Sequence, residues 1–236
     1  MTEQLRFWDK LLPDQPDHRK LYRGDAYMAD LFRLICRSSG IADPSEEFRL
    51  EQSARFTVEE MASNPVAMRF MQFLIRVSGA ARVLEIGTFV GLSTMYFAKA
   101  LPPHGEVVTI EKFDEFAAIA ERNFALNGLA DRIRLCRGDA FEIIDALPRE
   151  APFDLVFVDG NKERYDEYVV KTQPLLAPSG IIVVDDCFFH GDVVNPTPQD
   201  AKGRGARAFM DDAAASGEWL RVALPISNGI FLMTRA

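Results

Sequence analysis

Val83-Leu84-Glu85-Ile86-Gly87-Thr88-Phe89-Val90-Gly91-Leu92-Ser93 is the stretch on which the reading of this chain turns. Val83, Leu84 and Ile86 read as a buried strand, and two glycines stand where that strand gives way to a helix starting near Leu92. Glycine permits a tight strand-to-helix turn and lets a ligand approach the backbone, while the new helix presents unpaired N–H groups. The spacing is G-x-x-x-G behind an acid, not the G-x-G-x-x-G of dinucleotide sites, which disfavours a nicotinamide enzyme. Glu85, on the strand itself, would repel a pyrophosphate and suits a ligand carrying positive charge. S-adenosylmethionine, with an ammonium and a sulfonium, is such a ligand; a plain strand–turn–helix connection is the alternative.

From Arg82 onward, strand and helix patterns alternate. Val107-Val108-Thr109-Ile110 reads as a second strand, Ile133 to Cys136 as a third, Leu155 to Val158 as a fourth and Ile181 to Val184 as a fifth. Phe113, Phe116, Ala117, Ala120 and Phe124 form a helical stripe that Asn127-Gly128 closes. Apolar runs buried on both faces and separated by helices mean an α/β fold with a doubly wound, mostly parallel sheet. Two last strands, near Trp219 to Leu224 and Ile230 to Met233, are joined by a loop compatible with a hairpin, hence an antiparallel edge. Upstream, residues 1–17 read as a Pro-punctuated arm. Helices are expected over Asp25–Arg37, over much of Ser45–Met61, and from Asn64-Pro65, where a cap precedes a proline at the first helical position. The chain is thus expected to be one domain, 1–236, with arm and cap helices in 1–80 and the core in 81–236.

A length of 236 residues with 48% hydrophobic and 26% charged side chains suits a single globular core. The net charge of −8 and pI near 5.0 give no global basic field, which weighs against nucleic acid as a partner. Cys36, Cys136 and Cys187 are too scattered for a disulfide framework or a C-x-x-C site. No signal-peptide pattern or membrane-length run is present, so the expectation is a cytoplasmic protein without a membrane partner.

Ligands of open α/β sheets collect at the carboxyl ends of the strands, and here each of those ends is acidic. Glu85 and Gly87 lie at the first, Glu111 at the second, Asp139 beyond the third, Asp159 at the fourth, and Asp185-Asp186 at the fifth. Glu111 is placed to accept hydrogen bonds from a ribose diol, or else to complement the dipole of the helix that follows. Asp159, Asp185 and Asp186 would repel one another without a cation between them, and hard oxygen ligands select Mg²⁺, Ca²⁺ or Mn²⁺. The alternative points Asp185 and Asp186 to opposite sides. Lys162, three residues past Asp159, is a candidate base if its ammonium is disfavoured there, or an ordinary surface lysine. His190 follows the acid pair in a loop expected to run from Phe188 to Gly205, and could touch substrate or metal, or be incidental.

Together these residues resemble the metal-dependent class I O-methyltransferases, which include the caffeoyl-CoA and catechol enzymes and their bacterial relatives. The likeness runs from about Leu21 to the C-terminus. It rests on Leu84 to Ser93, on Gly138-Asp139-Ala140, on Phe157-Val158-Asp159-Gly160-Asn161-Lys162 with Tyr165 and Tyr168, and on Val184-Asp185-Asp186 followed by Gly191. The resemblance implies a seven-stranded Rossmann-like sheet, often in a homodimer. It implies that Ser63, Glu85, Gly87, Thr88, Ser93, Glu111 and Ala140 line an S-adenosylmethionine site with Asp139 beside the adenine. It further implies that Asp159, Asp185 and Asp186 hold a divalent metal, most simply Mg²⁺, and that Lys162 is the general base. The implied acceptor is a small catechol-like or vicinal-dihydroxy molecule. Alternatives are a tRNA hydroxyuridine and a non-catalytic protein that only binds the cofactor. The family commonly has Asp at Asn161, Asn at Asp186, Tyr at Leu92, Gln at Arg69 and Asn at His190. Asp186 is expected to tighten metal binding, while His190 and Arg69 depart from the acyl-CoA branch.

Overall fold

Five apolar runs of the sequence become neighbouring parallel strands in a computed structural model that describes residues 24–236. The chain divides into two compact units, 1–42 and 43–236. The described part of the first is a helix, α1 (Gly24–Ser38); the arm read over residues 1–17 lies outside the described residues. The second unit begins with α2 (Pro44–Glu47), α3 (Val58–Met61) and α4 (Pro65–Ser78). It continues β1 (Arg82–Ile86), α5 (Leu92–Ala100), β2 (Glu106–Glu111), α6 (Asp114–Leu126), β3 (Ile133–Arg137), α7 (Ala140–Ala146), β4 (Phe153–Val158), α8 (Tyr165–Thr172) and β5 (Leu176–Val184). Last come α9 (Ala201–Ala215), β6 (Trp219–Leu224) and β7 (Ile230–Arg235). No helix among the described residues is long and apolar enough to cross a membrane.

The sheet order is β3-β2-β1-β4-β5-β7-β6. The first five strands are parallel; β7 runs antiparallel to both β5 and the edge strand β6. Period-2 alternation sorts the strand residues onto two faces. Val83, Val107, Leu155, Phe157 and Val183 pack with α4, α5 and α6, while Leu84, Ile86, Val108, Val156, Val158 and Ile182 pack with α7, α8 and α9. With both faces covered, each strand is apolar at nearly every position. The order reverses between β1 and β4, and the crevice at that switch point is where such sheets take ligands.

Gly87 and Gly91 make the turn out of β1. Gly87 has φ +94°, and a Cβ there would stand 2.3 Å from the Asp159 carbonyl oxygen; Gly91 has φ +86° and abuts the Phe124 ring. Both conformation and space therefore require glycine.

Two expectations are corrected. The helix expected over much of Ser45–Met61 is only the two single turns α2 and α3. Between them the chain is extended because side-chain amides of α6 and its cap take its backbone bonds. Asn123 Oδ1 accepts from Glu51 N and its Nδ2 donates to Glu51 O; Asn127 does the same for Arg49 N and O. Such saturated bonds leave no drive to coil. Second, the loop expected from Phe188 to Gly205 ends early, because α9 starts at Ala201 behind an Asp200 cap that accepts from Lys202 N. Glycines in Ala201-Lys202-Gly203-Arg204-Gly205 hide this helix in sequence. Their space is needed: a Cβ on Gly205 would lie 2.5 Å from Lys162 O and from Glu163 Cα.

Candidate active site

Ladder pairing extends one residue past the strands and so sets the site. Gly87 N donates to Ile110 O, Asp159 N to Ile86 O, Asp185 N to Val158 O and Gly138 N to Glu111 O, at 2.9–3.0 Å. The residues that follow β1, β4 and β5 are thereby held side by side at the mouth of a cleft of about 690 Å³. Of the sequence-predicted site residues, Ser63, Gly87, Thr88, Ser93, Glu111, Asp139, Ala140, Asp159, Lys162, Asp185 and Asp186 line this cleft, as does His190. Glu85 does not.

Glu85 is wholly buried beneath the floor. It accepts from Ser93 Oγ at 2.5 Å, from Thr109 Oγ1 at 2.6 Å and from Thr94 Oγ1. Burial pushes its pKa up to about 7 against the pull of those hydroxyls. Glu85 meets the cleft through hydroxyls that line it, Ser93 Oγ directly and Thr88 Oγ1 by way of Thr109 Oγ1. Sequence could not show this, because the three hydroxyls come from α5 and β2.

Glu111 ends β2 and lines the cleft. Its Oε2 accepts from Thr88 N at 3.2 Å and Phe89 N at 2.8 Å, and its Oε1 from Phe113 N at 2.9 Å. Backbone donors thus fix a carboxylate on the cleft wall, oriented before any ligand arrives. Asp139 caps α7 by accepting from Phe141 N at 3.0 Å and pairs with Lys112 Nζ at 3.1 Å. Phe141 N–H first, then the lysine, hold its pKa below the ordinary value.

At the other end stand Asp159, Asp185, Asp186 and Lys162. Lys162 Nζ is 2.9 Å from Asp186 Oδ2 and 3.5 Å from Asp159 Oδ1. Asp185 accepts from Ser63 Oγ at 2.7 Å and from Asp186 N at 2.8 Å, and Tyr165 Oη donates to its carbonyl at 2.8 Å. Burial, countered by Lys162 but aided by Asp185 and Asp186, pushes Asp159 up to about 7; burial also raises Asp185. For Lys162, burial disfavours the ammonium, yet the Asp159 and Asp186 charges outweigh it and hold the pKa above its ordinary value. With no cation beside them, the two carboxylates keep the proton on Lys162. Asp186, where the family commonly has Asn, is the nearer of the two and sits at φ +56°, a left-handed conformation that Asp tolerates.

Among the described residues no three His, Cys, Asp or Glu side chains are arranged as a set of metal ligands. The donor chemistry nevertheless fits a hard cation. All three groups offer oxygen, two of them are destabilised as anions, and one lysine answers three acids. Lys162 competes for the same oxygens.

The rim contains residues that the sequence did not single out for the site: Phe113, which it read only as part of a helical stripe, and Arg164, Phe189, Lys202 and Asn228. His190 Nδ1 lies 3.2 Å from Asn228 Nδ2, joining the β5–α9 and β6–β7 connections. No spacing rule links two loops so far apart in sequence; the left-handed residues Phe189, His190 and Ser227 are the only local trace.

A family model described as O-methyltransferase matches residues 41–236. The chain is 30% identical over 187 residues to a catechol O-methyltransferase of Niastella koreensis, covering 78% of this chain and 81% of that one. A catechol O-methyltransferase of Mycobacterium tuberculosis is 35% identical, with 71% and 76% covered. The O-methyltransferase TomG of Streptomyces achromogenes, solved in complex with S-adenosylmethionine, superposes with a TM-score of 0.70 at 34% identity, covering 75% and 82%. A sheet of this order with an acidic strand-end cleft is that of the S-adenosylmethionine-dependent methyltransferase class. The chain belongs to the O-methyltransferase family.

Proposed function

We propose that this enzyme moves the methyl group of S-adenosylmethionine to one hydroxyl of a small catechol-like acceptor, with Mg²⁺ as the divalent ion. The observation that carries this is the meeting of Asp159, Asp185, Asp186 and Lys162 at one end of a cleft whose other end holds Glu111. Glu111, already fixed by three backbone N–H groups, has lone pairs left for a ribose diol. Asp159, Asp185 and Asp186 would hold the metal, which supplies charge to polarise two vicinal oxygens. Once a metal took up the charges of Asp159 and Asp186, Lys162 could release its own proton to solvent, and its neutral Nζ would be the group at hand to take the hydroxyl proton. Ser63 and Tyr165 orient Asp185 from its side chain and its carbonyl. Attack of an oxyanion on a sulfonium cancels charge, so the cleft works by alignment and by excluding water from the nucleophile.

The test is a methylation assay on catechols, hydroxycinnamoyl thioesters and tRNA, scored by a one-methyl mass gain with Mg²⁺ and with a chelator. Methylated catechol that disappears on chelation, and falls by about 10²-fold or more in Lys162→Ala, supports the reading. Full activity after exhaustive metal removal, or product on tRNA alone, refutes it.

A further inference from the structure

The cations that line the cleft are not equally occupied. Lys112 pairs with Asp139, Lys162 with Asp159 and Asp186, and Arg164 with Glu167 while it stacks 3.6 Å from the centroid of Phe141. Lys202 lines the same cleft without an ion pair or side-chain hydrogen bond among the described residues.

Lys202 is exposed in the first turn of α9, on the side of the helix that meets the cleft. Lys202, Gly205, Ala206 and Phe209 recur at i, i+3, i+4 and i+7, one face of a helix. Ala206 and Phe209 are buried, and Gly205 is pressed against the backbone of Lys162 and Glu163. Lys202 heads this inward stripe, one helical turn or about 5 Å along the axis from Gly205. Its stem is therefore led over the cleft beside Lys162. The turn that bears His190 packs along the same helix: Gly203 leaves room for the Asp192 carboxylate, and an Arg207 Nη donates to Val193 O at 3.0 Å.

We infer that Lys202 receives an anionic group of the methyl acceptor, so that the preferred acceptor is a catechol bearing a carboxylate on its ring or on a short side chain. This rests on the catechol reading above and adds the acceptor's charge to it. An exposed ammonium at the cleft rim, with the carboxylates of Asp159 and Asp186 taken by Lys162 and no partner of its own among the described residues, gains an ion pair when a ligand supplies one. Within a cleft closed by its ligand that pair is less screened than on open surface. One free ammonium matches one carboxylate; the several phosphates of an acyl-CoA find no second unpaired cation among the described lining residues.

The experiment compares kcat/KM for 3,4-dihydroxybenzoate, 3,4-dihydroxycinnamate, their methyl esters and the cinnamoyl-CoA thioester, with S-adenosylmethionine and Mg²⁺ present. The expected result is an acid-over-ester preference of about tenfold, carried by KM, that falls to about one in Lys202→Met and survives in Lys202→Arg; tenfold is the equivalent of ~1.4 kcal/mol. Esters used as well as acids, a preference kept in Lys202→Met, or the thioester as best substrate overturns the role of Lys202 and leaves the catechol reading standing. Absence of turnover on every catechol overturns both.

Discussion

Three hydroxyl groups converge on the carboxyl of Glu85 in a place that solvent does not reach. Its pKa rises from 4.5 to about 7, burial being the first cause. A carboxyl that binds its proton more firmly folded than unfolded contributes stability in full below the unfolded value and loses it as pH rises through the folded one. The window is thus from pH 4.5 to about 7. In Glu85→Gln this contribution is gone. Denaturant unfolding without ligand is expected to show the parent losing on the order of 3 kcal/mol relative to the variant across the window. The raised Asp159 and Asp185 are common to both proteins and cancel in the comparison. Parallel pH profiles would contradict the placement. The position of this acid at the end of a strand was legible in the sequence; its partners were not, because Thr94 and Thr109 meet it across a helix and a neighbouring strand.

At the scale of elements, α9 and the turn Lys162–Arg164 depend on each other. Gly205→Ala puts a methyl group where the backbone of Lys162 and Glu163 now lies. The expected cost is about 1–3 kcal/mol of stability, with a loss of methyl transfer greater than the lost folded fraction explains, since the displaced backbone carries the candidate base. Thermal unfolding and kcat measured together check this; unchanged values in both would show that the contact yields freely. The parallel strands were legible because burial on both faces leaves unbroken apolar runs. The first turns of α9 were masked by two glycines whose purpose is a contact with another element. The extended segment after α2 was misread as helix because the groups that hold it, Asn123 and Asn127, stand more than seventy residues away.

For the whole molecule, the mutual repulsion of the strand-end acids makes ligands a source of folding stability. A ligand that binds only the folded state adds RT ln(1 + [L]/Kd), about 2.7 kcal/mol at a hundredfold excess over Kd. S-adenosylmethionine and Mg²⁺ are each expected to raise the melting temperature. In a doubly neutralised Asp159→Asn, Asp185→Asn variant the Mg²⁺ increment is expected to vanish while the S-adenosylmethionine increment remains. Loss of both increments together would show that the two ends of the cleft are not separate sites.

The sequence by itself determined the sheet, the turn out of its first strand, and the crowding of acids along one rim, because strand burial, turn geometry and strand-end position are written locally in residue type and spacing. The tertiary structure alone decided what each acid does. Glu85 faces hydroxyls and not the cleft, Glu111 is held by backbone N–H groups, Asp159 and Asp186 share Lys162, and Lys202 stands at the opening with no ion pair among the described residues. Charge acts over a few ångströms of space, and the groups within that distance come from strands, helices and loops that the chain order keeps apart.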